Sequence, residues 1–287
     1  MEFAKIGSVQ MTLLILITVL AFAVPLAIAI IWTVRKKERF TTVLVGAATF
    51  FLFVIVLEKP IQNVLVVPTQ MGLPEHAAAA WIGARPLLMA LILALFPGVF
   101  EETGRLIAFK TVLKNRKNRE TSISHGIGHG GFEVMFLIGV SYLGYLSYAF
   151  MINSGTFGMV VEQVKALAPD QADQLILLAR QMAELTAPSI LLVMAERTFA
   201  VLFHIGASIL VFYACRDRER FWLYPVAILL HTALDFVSAL MYVDLIRIPV
   251  WLMEGVIVIF GIGTFCAAYF LLYRKDKPKP EAASPAV

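Results

Sequence analysis

The fold class this sequence predicts is all-α: a polytopic membrane protein of about seven transmembrane helices, with its N-terminus outside and its C-terminus in the cytoplasm. Three observations predict it. Hydrophobic residues fill 60% of the 287 positions and charged residues only 15%, whereas soluble domains are about half apolar. Mean hydropathy is +0.82, and the apolar residues come in runs of about 20, the length of a helix that spans about 30 Å of hydrocarbon. A transmembrane β-barrel would alternate in short segments instead. Third, sixteen of the 24 basic residues fall in four clusters, at 35–39, 110–119, 216–220 and 274–279. Seven crossings place all four on one side, which the positive-inside rule makes cytoplasmic. The net charge of +4 is therefore a topology signal and not the footprint of a nucleic-acid partner.

The first span, 10–34, has its positive charge behind the apolar run and not ahead of it, so it reads as a retained helix and not a cleaved leader. Span two is 41–57, followed by an external loop punctuated by Pro60, Pro68 and Pro74. Span three, 86–113, starts on Pro86, which suits a first helical turn. Pro97 should bend it, because proline offers no N–H to the Leu93 carbonyl. Span four is 122–150. In the external segment 151–187, Leu175, Leu178, Met182 and Leu185 recur at helical spacing, as in a helix on the outer membrane surface or an ordered loop helix. Spans five to seven are 188–214, 222–243 and 250–273. Residues 1–273 read as one integral-membrane domain with its motif-bearing core at 86–243, and 274–287 as a disordered cytoplasmic tail. Cys215 and Cys266, on reducing or apolar ground, are not expected to form a disulfide.

Four spans carry groups that lipid does not tolerate. Glu101, Glu102 and Arg105 lie in span three, and His125, His129 and Glu133 in span four. Glu196, Arg197 and His204 lie in span five, and His231 and Asp235 in span six. Ionisable groups at membrane depth are expensive and mark ion paths, proton relays or buried sites. Counted from the cytoplasmic helix ends, Glu101 lies roughly 18 Å in, His129 roughly 10 Å, His204 roughly 15 Å and His231 roughly 14 Å, which is one layer. Spacings of four keep the polar groups of each span on one stripe, as for His125, His129 and Glu133, and Arg197 faces nearly the same way as His204. Plainer roles suit some of them. His125 reads as a hydrogen-bonding core histidine. Arg105 and Arg197 read as neutralising buried carboxylates, with Glu196 as an ion-pair partner. Gly126, Gly128, Gly130 and Gly131 admit a neighbouring helix closely.

The strings Glu101-Glu102-Thr-Gly-Arg105, His125-Gly-Ile-Gly-His129-Gly-Gly-Phe-Glu133, Glu196-Arg197 followed by His204, and His231-Thr-Ala-Leu-Asp235 resemble, in order, the motifs of the YhfC family. The resemblance implies a bacterial intramembrane protease of the cytoplasmic membrane, related to the CAAX-processing and bacteriocin-processing enzymes and to PrsW. It further implies that Glu101 and His129 hold the attacking water, that His231 with Asp235 stabilises the oxyanion, and that His204 joins the site. Two residues separate Glu102 from Arg105 where the relatives have three, which turns Arg105 by about 100°.

Amide hydrolysis needs an activated water, a base and donors for the oxyanion. By this reading Glu101, Glu102, His129, His204, His231 and Asp235 are catalytic, and Arg105, Glu133, Glu196 and Arg197 support them. Zinc is open, with Glu101, His129, His204 and His231 as candidate ligands. No helical His-Glu-x-x-His signature is present, so a metal-independent glutamate mechanism is preferred. The partner is a membrane-associated protein or peptide in a lipid bilayer. A proton-coupled transporter and a non-catalytic scaffold are the rivals, and the transporter is disfavoured because the chain shows no internal repeat.

Overall fold

The computed structural model describes residues 3–276, and these are helical without a strand. Among the described residues, seven helices are long and apolar enough to cross a membrane: α1 (Ser8–Lys36), α2 (Phe40–Val66), α4 (Pro86–Lys110), α5 (Glu120–Ser154), α8 (Ala187–Arg216), α9 (Arg218–Tyr242) and α10 (Val250–Tyr273). Among the described residues there are also three shorter α-helices, α3 (Ala77–Gly83), α6 (Phe157–Leu167) and α7 (Pro169–Ala183), and a 3-10 turn at Pro68–Met71.

The described residues fall into two compact units. One comprises 3–28 and 132–198, the other 29–131 and 199–276. The boundaries cut through α1, α5 and α8, so each of these helices serves both units. In the first unit the core joins Leu14, Ala149, Ile152, Phe157, Val161, Ala179 and Met182. In the second, Phe109, Leu113, Ile123, Ile127, Ile205, Ile209 and Phe212 pack together. The most enclosed helix is α8, with 72% of its apolar window buried against 17–33% for the other six.

Small residues decide how α5 is held. A Cβ on Gly128 would run into the Val43 carbonyl on α2, and one on Gly126 would meet the Ile205 Cα on α8. The α5 backbone therefore touches helix backbone on two sides, which is the close approach that small residues permit.

Helix α4 continues through Pro97, and the Leu93 carbonyl that loses its donor accepts a bond from Gln62 Nε2 at 3.1 Å. Gln62 is buried, so Gln62→Leu should leave that carbonyl unsatisfied and cost about 1–3 kcal/mol. A fall in the unfolding temperature of the purified protein in detergent reads this out, and no fall would mean the carbonyl has another donor.

Two expectations are corrected. Helix α2 does not stop at 57 but runs to Val66, because a widened π-helical stretch, Phe51–Glu58, leads into an α-helical segment that begins at Lys59. Pro60 stands in the first turn of that segment, where a missing N–H costs little. The stripe of Leu175, Leu178 and Met182 lies on α7 and packs within its own unit against α6, where Phe157 and Val161 are buried. The tail does not begin free at 274. Asp276 Oδ2 accepts from Tyr213 Oη at 2.8 Å and pairs with Arg216 Nη1 at 2.5 Å, and its carbonyl accepts from Arg119 Nη1 at 2.7 Å. The rest of the expected tail, 277–287, lies outside the described residues.

Candidate active site

On α4 the Glu101-Glu102 pair follows Pro97 by one turn. At Gly98 a Cβ would strike Thr232 and the Ile228 carbonyl of α9, so these two helices pack backbone to backbone. That contact brings the acid pair against His231. His231 Nδ1 donates to Glu102 Oε1 at 2.9 Å. Its Nε2 lies 3.8 Å from Glu101 Oε1 and 3.6 Å from Asp235 Oδ2.

From α5, His129 Nε2 donates to Glu101 Oε2 at 2.8 Å. From α8, His204 Nδ1 lies 3.7 Å from the same oxygen. Glu101, His129 and His204 each offer a ligand atom, and the three atoms lie within 4.8 Å of one another. All three residues are buried.

Arg105 binds the group together. Its Nη1 pairs with Glu102 Oε1 at 2.5 Å, its Nη2 donates to His204 Nδ1 at 2.6 Å, and the same Nη2 lies 3.5 Å from Glu101 Oε2. The short spacing noted in the sequence thus puts arginine three and four residues from the two acids, where one side chain serves both. The guanidinium is fully buried and neutralises charge that lipid or protein interior would otherwise reject.

The remaining sequence candidates have contacts of their own. His125 bonds Ser208 Oγ at 3.2 Å and Thr49 Oγ1 at 3.3 Å, the hydrogen-bonded core role expected of it. Glu133, Glu196 and Arg197 belong to the other compact unit. There Arg197 donates to Glu133 Oε1 at 3.0 Å and pairs with Glu196, so the supporting role expected of these three is an ion-pair cluster within that unit. Asp235 is the partly open member of the site, with its side chain 35% exposed.

Sequence reasoning missed Glu58. It is fully buried on α2, paired with Lys59 Nζ at 3.0 Å, and its charge bears on Glu101 and His231. The available signal was an acid that directly continues the apolar run 51–57, but the adjacent Lys59-Pro60 read as the end of a span.

Two imidazoles and a carboxylate are a donor set that holds catalytic zinc while leaving a position open. The residues present fit such an ion by chemistry and proximity. Since His204 Nδ1 accepts from Arg105, a cation taken up on that nitrogen requires the guanidinium to withdraw to Glu102.

The family model of the YhfC intramembrane metalloprotease matches residues 20–257. The chain belongs to the YhfC family. It is 32% identical over 224 residues to the uncharacterized membrane protein YhfC of Bacillus subtilis (strain 168), covering 78% of this chain and 81% of that one. No solved structure matches it. The region matched to the YhfC family contains every residue of the Glu101 group, and Glu58 as well.

Proposed function

We propose that this multi-pass membrane protein is an intramembrane protease of a bacterial cytoplasmic membrane, hydrolysing a peptide bond in a membrane-associated protein or peptide. The observation that carries the reading is the convergence of Glu101, His129 and His204 on one buried point among apolar helices. Burying such groups in a membrane is costly and is kept for function. The family's description names metalloproteases, which favours a metal-assisted reaction over the metal-independent glutamate mechanism preferred from the sequence. Glu101, His129 and His204 would hold the ion. A zinc so held lowers the pKa of its water toward about 7 and polarises a carbonyl.

The chain's own groups do the remaining work. Glu102 accepts from His231 Nδ1 and so fixes that ring with Nε2 turned toward Glu101 Oε1 and Asp235. Glu101 serves both halves of the site, since Oε2 faces the two imidazoles while Oε1 faces His231. A proton taken from the attacking water at Glu101 therefore has a short route to His231 Nε2. From there it reaches the leaving amine, or the same N–H donates to the developing oxyanion. Asp235 steadies the charged ring, and Arg105 holds the acid pair in place.

Comparing protein N-termini in membranes that carry the wild type or a His129→Ala/His204→Ala variant tests this reading. Wild-type membranes should contain new termini within or beside transmembrane segments, and purified wild type should carry stoichiometric zinc that the variant lacks. Finding no such termini with wild-type protein would overturn protease activity. Equal zinc in both proteins would overturn the ligand set.

A further inference from the structure

At the ends of α4 and α8 the structure has a second polar feature that the hydrolytic reading does not use. A cavity of about 150 Å³ is lined by Phe109, Leu113 and Phe212 on its apolar side and by Lys110, Lys114, Arg116, Lys117 and Arg216 on its charged side, with the Cys215 thiol also on its wall. Phe109, Leu113 and Phe212 are buried core residues, so the floor of the cavity is fixed.

The five cations are not balanced by acids of the protein. Arg216 pairs with Asp276 at 2.5 Å and Arg116 approaches Glu38 at 3.8 Å. Lys110 lies over the Phe221 ring at 4.9 Å. Lys114 and Lys117 are exposed and have no ion pair among the described residues. Basic residues near helix C-termini complement the helix dipole, which accounts for Lys110 and Arg216 but not for Lys114 and Lys117, which follow the end of α4. A surplus of positive charge around a small pocket with an aromatic floor calls for an amphiphile with an anionic head.

We propose that this cavity binds the phosphate headgroup of an anionic phospholipid, with the phosphate among Lys114, Lys117 and Arg116 and the glycerol end on Phe109 and Phe212. Several observations favour a lipid over a soluble anion. The pocket lies where two membrane-spanning helices end, its floor is apolar, and its volume suits one headgroup and not a protein surface. Basic pockets between transmembrane helices at the cytoplasmic boundary are suited to lipid headgroups. The pocket also adjoins the interior, because the Phe109 ring lies 4.7 Å from His125 and 5.3 Å from Phe212. A lipid seated there would brace the aromatic layer under the α5 histidines. The binding itself does not depend on the Glu101 group being hydrolytic.

The test uses full-length protein in neutral detergent, with phosphatidylglycerol or phosphatidylcholine added in mixed micelles and retained lipid counted by native mass spectrometry. Wild type should retain phosphatidylglycerol selectively. Lys114→Gln with Lys117→Gln should weaken that retention by about thirty-fold, the loss expected of two basic groups at an anionic surface. A control that removes equal charge outside the pocket, Arg35→Gln with Lys36→Gln, should leave it unchanged. Equal losses in the two variants would reduce the effect to bulk charge and overturn the pocket. Unchanged retention in the Lys114/Lys117 variant would overturn it outright. Displacement of the lipid by millimolar inorganic phosphate would show a soluble anion site and overturn the lipid assignment.

Discussion

Glu101→Gln is expected to lower cleavage of a membrane substrate by a factor of about 10² to 10⁴, the range for losing a general base, while the chain still folds and inserts. Glutamine keeps the shape of the side chain and can still accept the bond from His129, whose Nε2 lies 2.8 Å from Glu101 Oε2. It cannot take a proton, and it is a poor ligand. The substrate-derived termini found with wild type provide the assay, and unfolding temperature in detergent checks that the fold survives. Metal content divides the two contributions. Activity lost with zinc retained marks Glu101 as the base, and activity lost together with zinc marks it as a ligand. Wild-type turnover in Glu101→Gln would remove Glu101 from the mechanism.

The second large effect concerns stability. Arg105 has no exposed surface, and its two terminal nitrogens serve Glu102 and His204 at 2.5 and 2.6 Å. Arg105→Met removes the guanidinium from Glu102 and leaves His231 as its one remaining hydrogen-bond partner in the site, which should cost about 3–5 kcal/mol. Loss of folded protein in extracted membranes, or a sharply lower unfolding temperature, is the expected measurement. Arg105→Lys should not restore stability, because one ammonium cannot span both partners as the planar guanidinium does. Adding Glu102→Gln to Arg105→Met should recover part of the loss, since the buried charge is then gone. Wild-type stability in Arg105→Met would mean that the acid pair is neutralised by other means.

Much of this molecule is legible in the sequence because hydrocarbon thickness imposes the length of each span. Where the reading failed, residue type was a poor guide to facing. Glu58 and Lys59 looked like a helix end because charge usually lies outside lipid, yet Glu58 points inward and only Lys59 is half exposed. The layer formed by Glu101, His129, His204 and His231 was legible because helical rise fixes depth. The partner of each polar group was not fully legible, since a stripe extends along the whole helix while contact is local. Glu133 lies one turn beyond His129 on the same stripe, and it pairs with Arg197 in the other unit. The triple engagement of Arg105 depends on helix rotation and rotamer, which spacing alone does not determine.

The glycine contacts of α5 bear on how this protein can vary. Residues 121–131 are all buried, without a single lipid-facing position across three turns of a membrane-spanning helix. Tolerance to substitution therefore has no helical period there. His129 is constrained by chemistry, His125 by its two hydroxyl partners, Gly126 and Gly128 by neighbouring backbones, and Ile127 by the apolar core. Substitution has no free face to act on, so a change at any position in the segment is expected to be costly. On α9, by contrast, the residues between His231 and Asp235 include exposed Ala233, and variation there can proceed without disturbing the acid and the imidazole on either side.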